Sequence, residues 1–198
     1  MPLLVSVGIQ RIREGIDDTN LKENNFPHLG SLVLSALINS LEEEEAVIRR
    51  TALDVMQSHL RIRSELLGKE ERSVLVEALL RQFHKKDISI AKRANQWLFG
   101  REDEEGRFTI NEKNEFVIED IIGSFKRILS SVPGKEENCT YPIKILQNFY
   151  IEHPHLVKET LSHISVELLR YIFNFGSPSS EPHCHHFPEI LRAGKRFL

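Results

Sequence analysis

The chain has 198 residues, of which 40% are hydrophobic and 28% charged, a composition typical of a folded globular protein rather than a disordered one. Its 26 basic and 29 acidic side chains give a formal net charge of −3, so no overall positive field favours nucleic acid or an anionic membrane, and any basic surface has to be local. Two widely separated cysteines, the lack of a basic, apolar leader and the lack of an apolar run near the roughly 20 residues that span a bilayer predict a soluble, cytosolic chain.

Helical periodicity begins near the start of the chain, and strand-like alternation is nearly absent. We predict the end of a helix at residues 3–13, a polar loop at 17–25 and a helix at 27–40. The apolar face of that helix is predicted to hold Leu29, Leu32, Val33, Ala36 and Leu37. Residues 42–45 are four glutamates that place negative charge at the start of the next helix, where the helix dipole favours it. The apolar positions of that helix start with Val47 and Ile48, and the helix is predicted to continue to the break at 67–69.

The second half of the chain repeats this pattern of paired helices. Helices are predicted at 70–83, 87–100, 116–129, 142–151 and 154–173, and a polar surface loop at 101–114. We therefore expect a helical-repeat domain over residues 1–176, followed by a Ser-, Pro- and His-rich linker and a short amphipathic tail over 177–198.

The predicted fold class is all-α, with antiparallel helix pairs stacked as an α-solenoid of the HEAT or armadillo kind. The pairs that begin near residues 27 and 70 are offset by roughly 40 residues, as in those repeats. A compact, irregular helical bundle is the competing architecture.

The segment from Asp87 to Gly100 is the most informative of these helices. Asp87 is suited to the N-cap, and Gly100 to the left-handed residue that ends a helix. Between them, the only tryptophan, Trp97, falls on an apolar stripe with Ile90, Ala94 and Leu98. We predict structural roles for Asp87, Trp97 and Gly100.

Basic residues cluster at the start of this helix and supply the candidate binding site. Lys85 and Lys86 lie at the turn before it, while Lys92 and Arg93 lie on its predicted solvent side. These four cations are candidates to bind an inositol-lipid phosphate, an anionic leaflet or an acidic partner. The alternative is an ordinary solvated face, with Arg93 paired to a helix acid. Arg50 and Asp54 are spaced for an i,i+4 ion pair within their own helix.

No residue pattern in the chain indicates catalysis. Residues 183–186 read His-Cys-His-His, but no second Cys/His pair follows at a zinc-finger spacing, so we predict no metal site and no cofactor. Gly-Lys pairs lack the rest of a phosphate loop, and no carboxylate pair is recognisable as an acid and base. We therefore predict no catalytic residues and a protein that is not an enzyme.

Three blocks of the chain resemble the N-terminal region of the Dopey family, large cytosolic proteins of the Golgi and endosomes. The first two are residues 48–54 and 75–83. The third is Asp87, Ile88 and Ser89 followed by Arg93, Trp97, Leu98 and Gly100. Residues 141–146 and 156–171 are also similar to later segments of that region, so the resemblance extends from about residue 29 to about residue 171. Residues 101–113 are shorter and more acidic than the family pattern, and the chain resembles a short or truncated member.

The resemblance implies a non-enzymatic scaffold in protein and vesicle transport between endosomes and Golgi, peripheral on those membranes. It also implies a Sec7-related Golgi partner, kinesin light chain and a phosphoinositide membrane surface as binding partners. Two alternatives remain: a generic helical-repeat adaptor that binds proteins, and a helical repeat that binds nucleic acid. The net charge of −3 disfavours the second.

Overall fold

The computed structural model describes residues 27–100, 115–131 and 140–176, and this part of the chain is all-helical. The predicted segments at 3–13, 17–25 and 101–114 and the tail at 177–198 lie outside the described residues. The seven α-helices of the described part are α1 (Pro27–Glu42), α2 (Ala46–His59), α3 (Lys69–Gln82), α4 (Ile88–Phe99), α5 (Glu115–Ser130), α6 (Tyr141–Glu152) and α7 (Val157–Gly176). Short 3-10 turns at Phe83–Lys85 and Pro154–Leu156 connect α3 to α4 and α6 to α7.

The helices contact each other mainly in alternation along the chain. Helix α1 packs on α3, α3 packs on α5, and α5 packs on α7. Helix α2 packs on α4, and the hydrogen bonds of Asn95 join α4 to the end of α6. The odd-numbered helices thus form one set and the even-numbered helices form a second. Within each set, every helix contacts the next member of that set.

The core lies between these two sets, and aromatic side chains occupy its centre. Phe149 of α6 makes edge-to-face contacts with Phe83 of the first 3-10 turn and with Phe125 of α5, at centroid distances of 5.4 and 5.3 Å. All three rings are at most 2% exposed. Such pairs stabilise by about 1 kcal/mol beyond the burial of their area, so this cluster fixes the α3–α4 turn against α5 and α6.

Ion pairs join α3 and α5 at the edge of the core. Arg72 Nε donates to Asp120 Oδ2 at 2.5 Å, and the guanidinium lies 4.7 Å from the centre of the Phe116 ring. Further along both helices, Arg127 Nε donates to Glu77 Oε2 at 2.6 Å. These contacts fix the register of the two helices.

Two predicted apolar positions are wrong. Leu32 of α1 and Val47 of α2 are each 67% exposed. Leu37, which the prediction places on the apolar face, is buried as expected, and Leu41 is buried with it on the side of α1 that meets the core. Val47 lies off the stripe that α2 buries, which includes Leu53 and Met56.

The predicted end of α2 is also wrong, because the helix ends at His59 rather than continuing to the break at 67–69. Leu60 leaves helical geometry at φ −130° and ψ 67°, and its carbonyl accepts a hydrogen bond from the Trp97 indole at 2.7 Å. Leu60, Ile62 and Leu67 are all buried in the connection that follows. A buried loop can therefore carry the same apolar spacing as a helix.

The glutamates of residues 42–45 lie at a junction between two helices. Helix α1 includes Glu42, and Glu45 is the N-cap residue of α2. Arg49, which is 4% exposed, donates from Nη1 to the carbonyl oxygens of Glu43 and Glu44 at 2.6 and 2.7 Å. Since a C-terminal helix end leaves carbonyls without intrahelical partners, this buried guanidinium supports the turn from α1 to α2.

Candidate functional site

The turn between α3 and α4 has a well-defined backbone. After the 3-10 turn, Lys86 adopts the left-handed conformation, with φ 51° and ψ 32°. Asp87 then returns to extended geometry, and its Oδ1 accepts from the amides of Ser89 and Ile90 at 3.0 and 3.1 Å. Asp87 is therefore the N-cap residue of α4, and the chain reverses direction within a few residues. From the opposite side, Asn148 Nδ2 donates to the Phe83 carbonyl at 2.7 Å and holds the turn on α6.

The structure places three of the four predicted cations on the surface around this turn. Lys85, Lys86 and Lys92 are exposed. Between them in the sequence, Ile88 is 84% exposed, the highest value among the exposed large hydrophobic side chains of the described residues. Lys92 follows Ile88 by four residues and so lies on the same side of α4. We name Lys85, Lys86, Ile88 and Lys92 the α3–α4 edge.

Arg93 is less exposed than the three lysines, and its guanidinium joins two helices. Its Nε donates to Asp54 Oδ1 of α2 at 2.7 Å, and its Nη1 donates to Ser89 Oγ at 2.6 Å. The sequence left two roles open for Arg93, a ligand contact or a pair with a helix acid. The structure shows the pair with a helix acid, which joins α2 to α4. The predicted pairing of Arg50 with Asp54 is wrong, because Asp54 pairs with Arg93 and Arg50 Nη2 lies 3.9 Å from Asp87 Oδ2.

The sequence alone did not identify two side chains near the edge, His84 and Lys144. His84 precedes Lys85, and its ring packs 4.6 Å from that of Tyr141 at the start of α6. Burial lowers the pKa of His84, and the nearby positive charges of Lys85 and Lys144 lower it further. Lys144 is exposed on α6, about 60 residues from Lys85 in sequence, so only the packing of α6 against the turn reveals it.

The opposite side of α4 is structural. Trp97 is 3% exposed and donates from its indole to the Leu60 carbonyl, so it joins α4 to the loop after α2. Gly100 donates its amide to the Gln96 carbonyl and has a φ of 93° with a ψ of −152°. The positive φ agrees with the prediction, but the ψ is outside the left-handed helical region. That combination is accessible essentially to glycine alone.

A second polar cluster, the Asn95 junction, joins α4 to the end of α6. Asn95 Nδ2 donates to Glu152 Oε2 at 2.7 Å, and Asn95 Oδ1 lies 2.9 Å from His153 Nε2. Because an amide oxygen can only accept, Nε2 of His153 carries the proton. His153 is 1% exposed, and its ring packs on those of Phe99 and Phe149 at 4.9 and 4.8 Å.

Burial determines the charge states at the Asn95 junction. It lowers the pKa of His153 to about 4, with a smaller contribution from the charge of His155, and it raises the pKa of Glu152. The imidazole is therefore neutral at neutral pH and acts as a hydrogen-bond donor between helices. The junction contains an amide, an imidazole and a carboxylate, and its contacts fix the position of α6 on α4.

The predicted His/Cys cluster at 183–186 and both cysteines lie outside the described residues. Within residues 27–100, 115–131 and 140–176, no group of three or more His, Cys, Asp or Glu side chains is placed to hold a metal ion. Among the helices that the structure describes, none combines the length and the apolar character that crossing a membrane requires.

Comparison with known proteins finds a family similarity in the N-terminal part of the chain. Residues 8–103 match the family model described as Dopey, N-terminal, and this range includes α1 to α4 and the α3–α4 edge. The similar segments at 141–146 and 156–171 lie beyond the match and remain a prediction. Neither a curated protein nor a solved structure matches the chain. Residues 8–103 are therefore similar to the N-terminal region of the Dopey family, which is the resemblance that the sequence predicts.

Proposed function

We propose that this protein is a non-enzymatic helical scaffold in transport between endosomes and Golgi, and that it docks on phosphoinositide-bearing membrane through the α3–α4 edge. The match of residues 8–103 to the Dopey N-terminal family supports a role in trafficking. The observation that carries the docking proposal is the exposure of Ile88 among three exposed lysines.

The helix contacts favour a solenoid as the architecture of this scaffold. In a stack of helix pairs, each helix packs on the equivalent helix of the next pair, which gives contacts between alternate helices. The contacts of α1 with α3, of α3 with α5 and of α2 with α4 follow that rule. A solenoid offers extended faces to protein partners, and we propose the Sec7-related partner and kinesin light chain as occupants of faces other than the α3–α4 edge.

The chemistry of the α3–α4 edge suits an anionic membrane. Each lysine near an anionic leaflet contributes about 1 kcal/mol, so three lysines give a weak and reversible attraction. Full transfer of an isoleucine side chain out of water adds about 1.5–3 kcal/mol. The rigid turn holds these groups in place, because Asp87 caps α4 and Asn148 anchors Phe83.

Liposome flotation tests this proposal. The wild-type protein is expected to float with liposomes that contain phosphatidylinositol phosphate and to remain unbound with neutral ones. The triple variant Lys85→Glu, Lys86→Glu, Lys92→Glu is expected to lose flotation. A matched variant with three reversals elsewhere, Lys69→Glu, Lys126→Glu, Lys158→Glu, changes the net charge equally and is expected to retain most of it.

Three results would contradict the docking proposal. Equal loss of flotation in both triple variants would mean that net charge alone determines binding. No flotation of the wild-type protein would remove the membrane role from these residues and leave the protein-binding adaptor. Salt-sensitive binding to RNA that exceeds binding to the liposomes would favour the nucleic-acid alternative.

A further inference from the structure

The outer face of α7 carries an apolar stripe that no described residue covers. Val166, Leu169 and Phe173 are 61%, 53% and 73% exposed. Their spacing of three and four residues places them on one side of the helix. The opposite side is buried against the core through residues that include Ile164 and Tyr171, so the two faces are distinct.

The sequence that follows α7 contains a complementary segment. In residues 187–198, the apolar side chains of Phe187, Ile190, Leu191, Phe197 and Leu198 would fall on one face of a helix. The charged side chains, Glu189, Arg192, Lys195 and Arg196, would fall on the other. Pro188 is suited to the first turn of such a helix.

The length of the connection permits this segment to reach the stripe. Ten residues, 177–186, separate the end of α7 from Phe187, and such a chain extends up to about 35 Å. The stripe begins ten residues before Gly176, a distance of about 15 Å along the helix. The connection can therefore reverse direction and lay the segment along α7.

Two arguments favour this segment over a second copy of the chain as the occupant. A connection of this length gives an effective concentration in the millimolar range, which favours a contact within the chain. A stable interface between two proteins buries about 1,000 Å² of surface or more, and the three side chains of the stripe provide far less than that. We propose that residues 187–198 fold back on α7 and cover Val166, Leu169 and Phe173 with their apolar face.

Hydrogen–deuterium exchange of the full chain tests this contact. Amides of residues 187–198 are expected to exchange at least about tenfold more slowly than in an unstructured peptide of the same sequence. Phe173→Asp is expected to abolish that protection. Ile151→Asp, at a position of α6 that is 70% exposed, is the matched control and is expected to preserve it.

A reciprocal experiment keeps the test independent of the fold of α7. The background protein carries Leu169→Cys, and both native cysteines are changed to serine, so that a thiol reagent labels only position 169. In this background, the added pair Ile190→Asp and Leu191→Asp is expected to increase the labelling rate several-fold. Exchange of 187–198 at unstructured rates in the wild type would overturn the proposal. So would protection that rises with protein concentration, because that result would identify a second copy as the occupant.

Discussion

The α3–α4 edge and the Asn95 junction each include a polar side chain of α4, Lys92 and Asn95 respectively, and the two regions differ in what their side chains contact. At the edge, lysines and Ile88 are exposed to solvent. At the junction, Asn95 and His153 bond each other in the protein interior. One short helix therefore has a side that contacts its neighbours and a side that is exposed to solvent, where we propose that a ligand binds. Burial and hydrogen-bond partners distinguish the two sides.

The largest effect is expected on the buried side of α4. Trp97→Ala is expected to lower the free energy of unfolding by about 3–5 kcal/mol, because it leaves a cavity and removes the hydrogen bond to the Leu60 carbonyl. Denaturant unfolding followed by circular dichroism measures this loss. Ile88→Ala at the α3–α4 edge is the control, with an expected change within about 0.5 kcal/mol. Similar values for the two variants would contradict the assignment of the two sides.

A pH dependence is expected next, from the Asn95 junction. The pKa of His153 is lowered from 6.5 to about 4 by burial, so the unfolded chain takes up a proton at a higher pH than the folded one. The stability that depends on a neutral His153 is fully present above about pH 6.5. The free energy of unfolding is expected to fall by about 3 kcal/mol as the pH falls toward 4. Glu152, whose pKa burial raises, acts in the opposite sense and offsets part of this loss.

Unfolding titrations between about pH 7 and pH 4 measure this dependence. In His153→Gln, which keeps an N–H donor without a titratable ring, the loss of stability over that range is expected to shrink. His163→Gln, at an exposed position of α7, is the matched control and is expected to retain the wild-type slope. An unchanged slope in His153→Gln would show that other groups determine the acid sensitivity.

The cap of α4 gives a smaller effect. Asp87→Ala removes the acceptor for the amides of Ser89 and Ile90 and is expected to cost about 1 kcal/mol. Asp87→Asn retains a capping oxygen and is expected to preserve most of the stability. Thermal unfolding of the two variants checks this order. If Asp87→Asn lost as much stability as Asp87→Ala, the ion pair with Arg50 at 3.9 Å, rather than the cap, would explain the loss.

The smallest effect on stability is expected at the α3–α4 edge itself. Exposed lysines make little net contribution to folding, so Lys85→Glu and Lys86→Glu are each expected to change stability by less than about 0.5 kcal/mol. Thermal unfolding measures this. A large loss would mean that these side chains support the turn, and the flotation result for the triple variant would then report folding instead of docking.

Local features of the sequence predicted their structure well, whereas contacts over long sequence distances could not be predicted. The cap at Asp87 and the buried stripe of α4 depend on residues within two turns of one another. Arg93 bonds Asp54, 39 residues away, and Asn95 bonds His153, 58 residues away. Neither partner can be identified without knowing which helices pack together.

The errors in the predicted helices have the same origin. The exposure of Leu32 depends on which side of α1 meets the core, and α2 ends where the next residue, Leu60, bonds Trp97, 37 residues away. The importance of Ile88 could have been noticed, because it lies off the stripe formed by Ile90, Ala94 and Trp97. An isoleucine outside the buried stripe of an amphipathic helix is a candidate for a surface contact.

The most direct test of the docking role of the α3–α4 edge compares two exposed isoleucines in the liposome flotation assay. Ile88→Asp lies at the edge, and Ile151→Asp changes a side chain of similar exposure on α6, with the same change in charge. We predict that Ile88→Asp strongly reduces flotation with phosphoinositide liposomes, whereas Ile151→Asp binds nearly as well as the wild type. Equal flotation of the two variants would contradict docking through the α3–α4 edge.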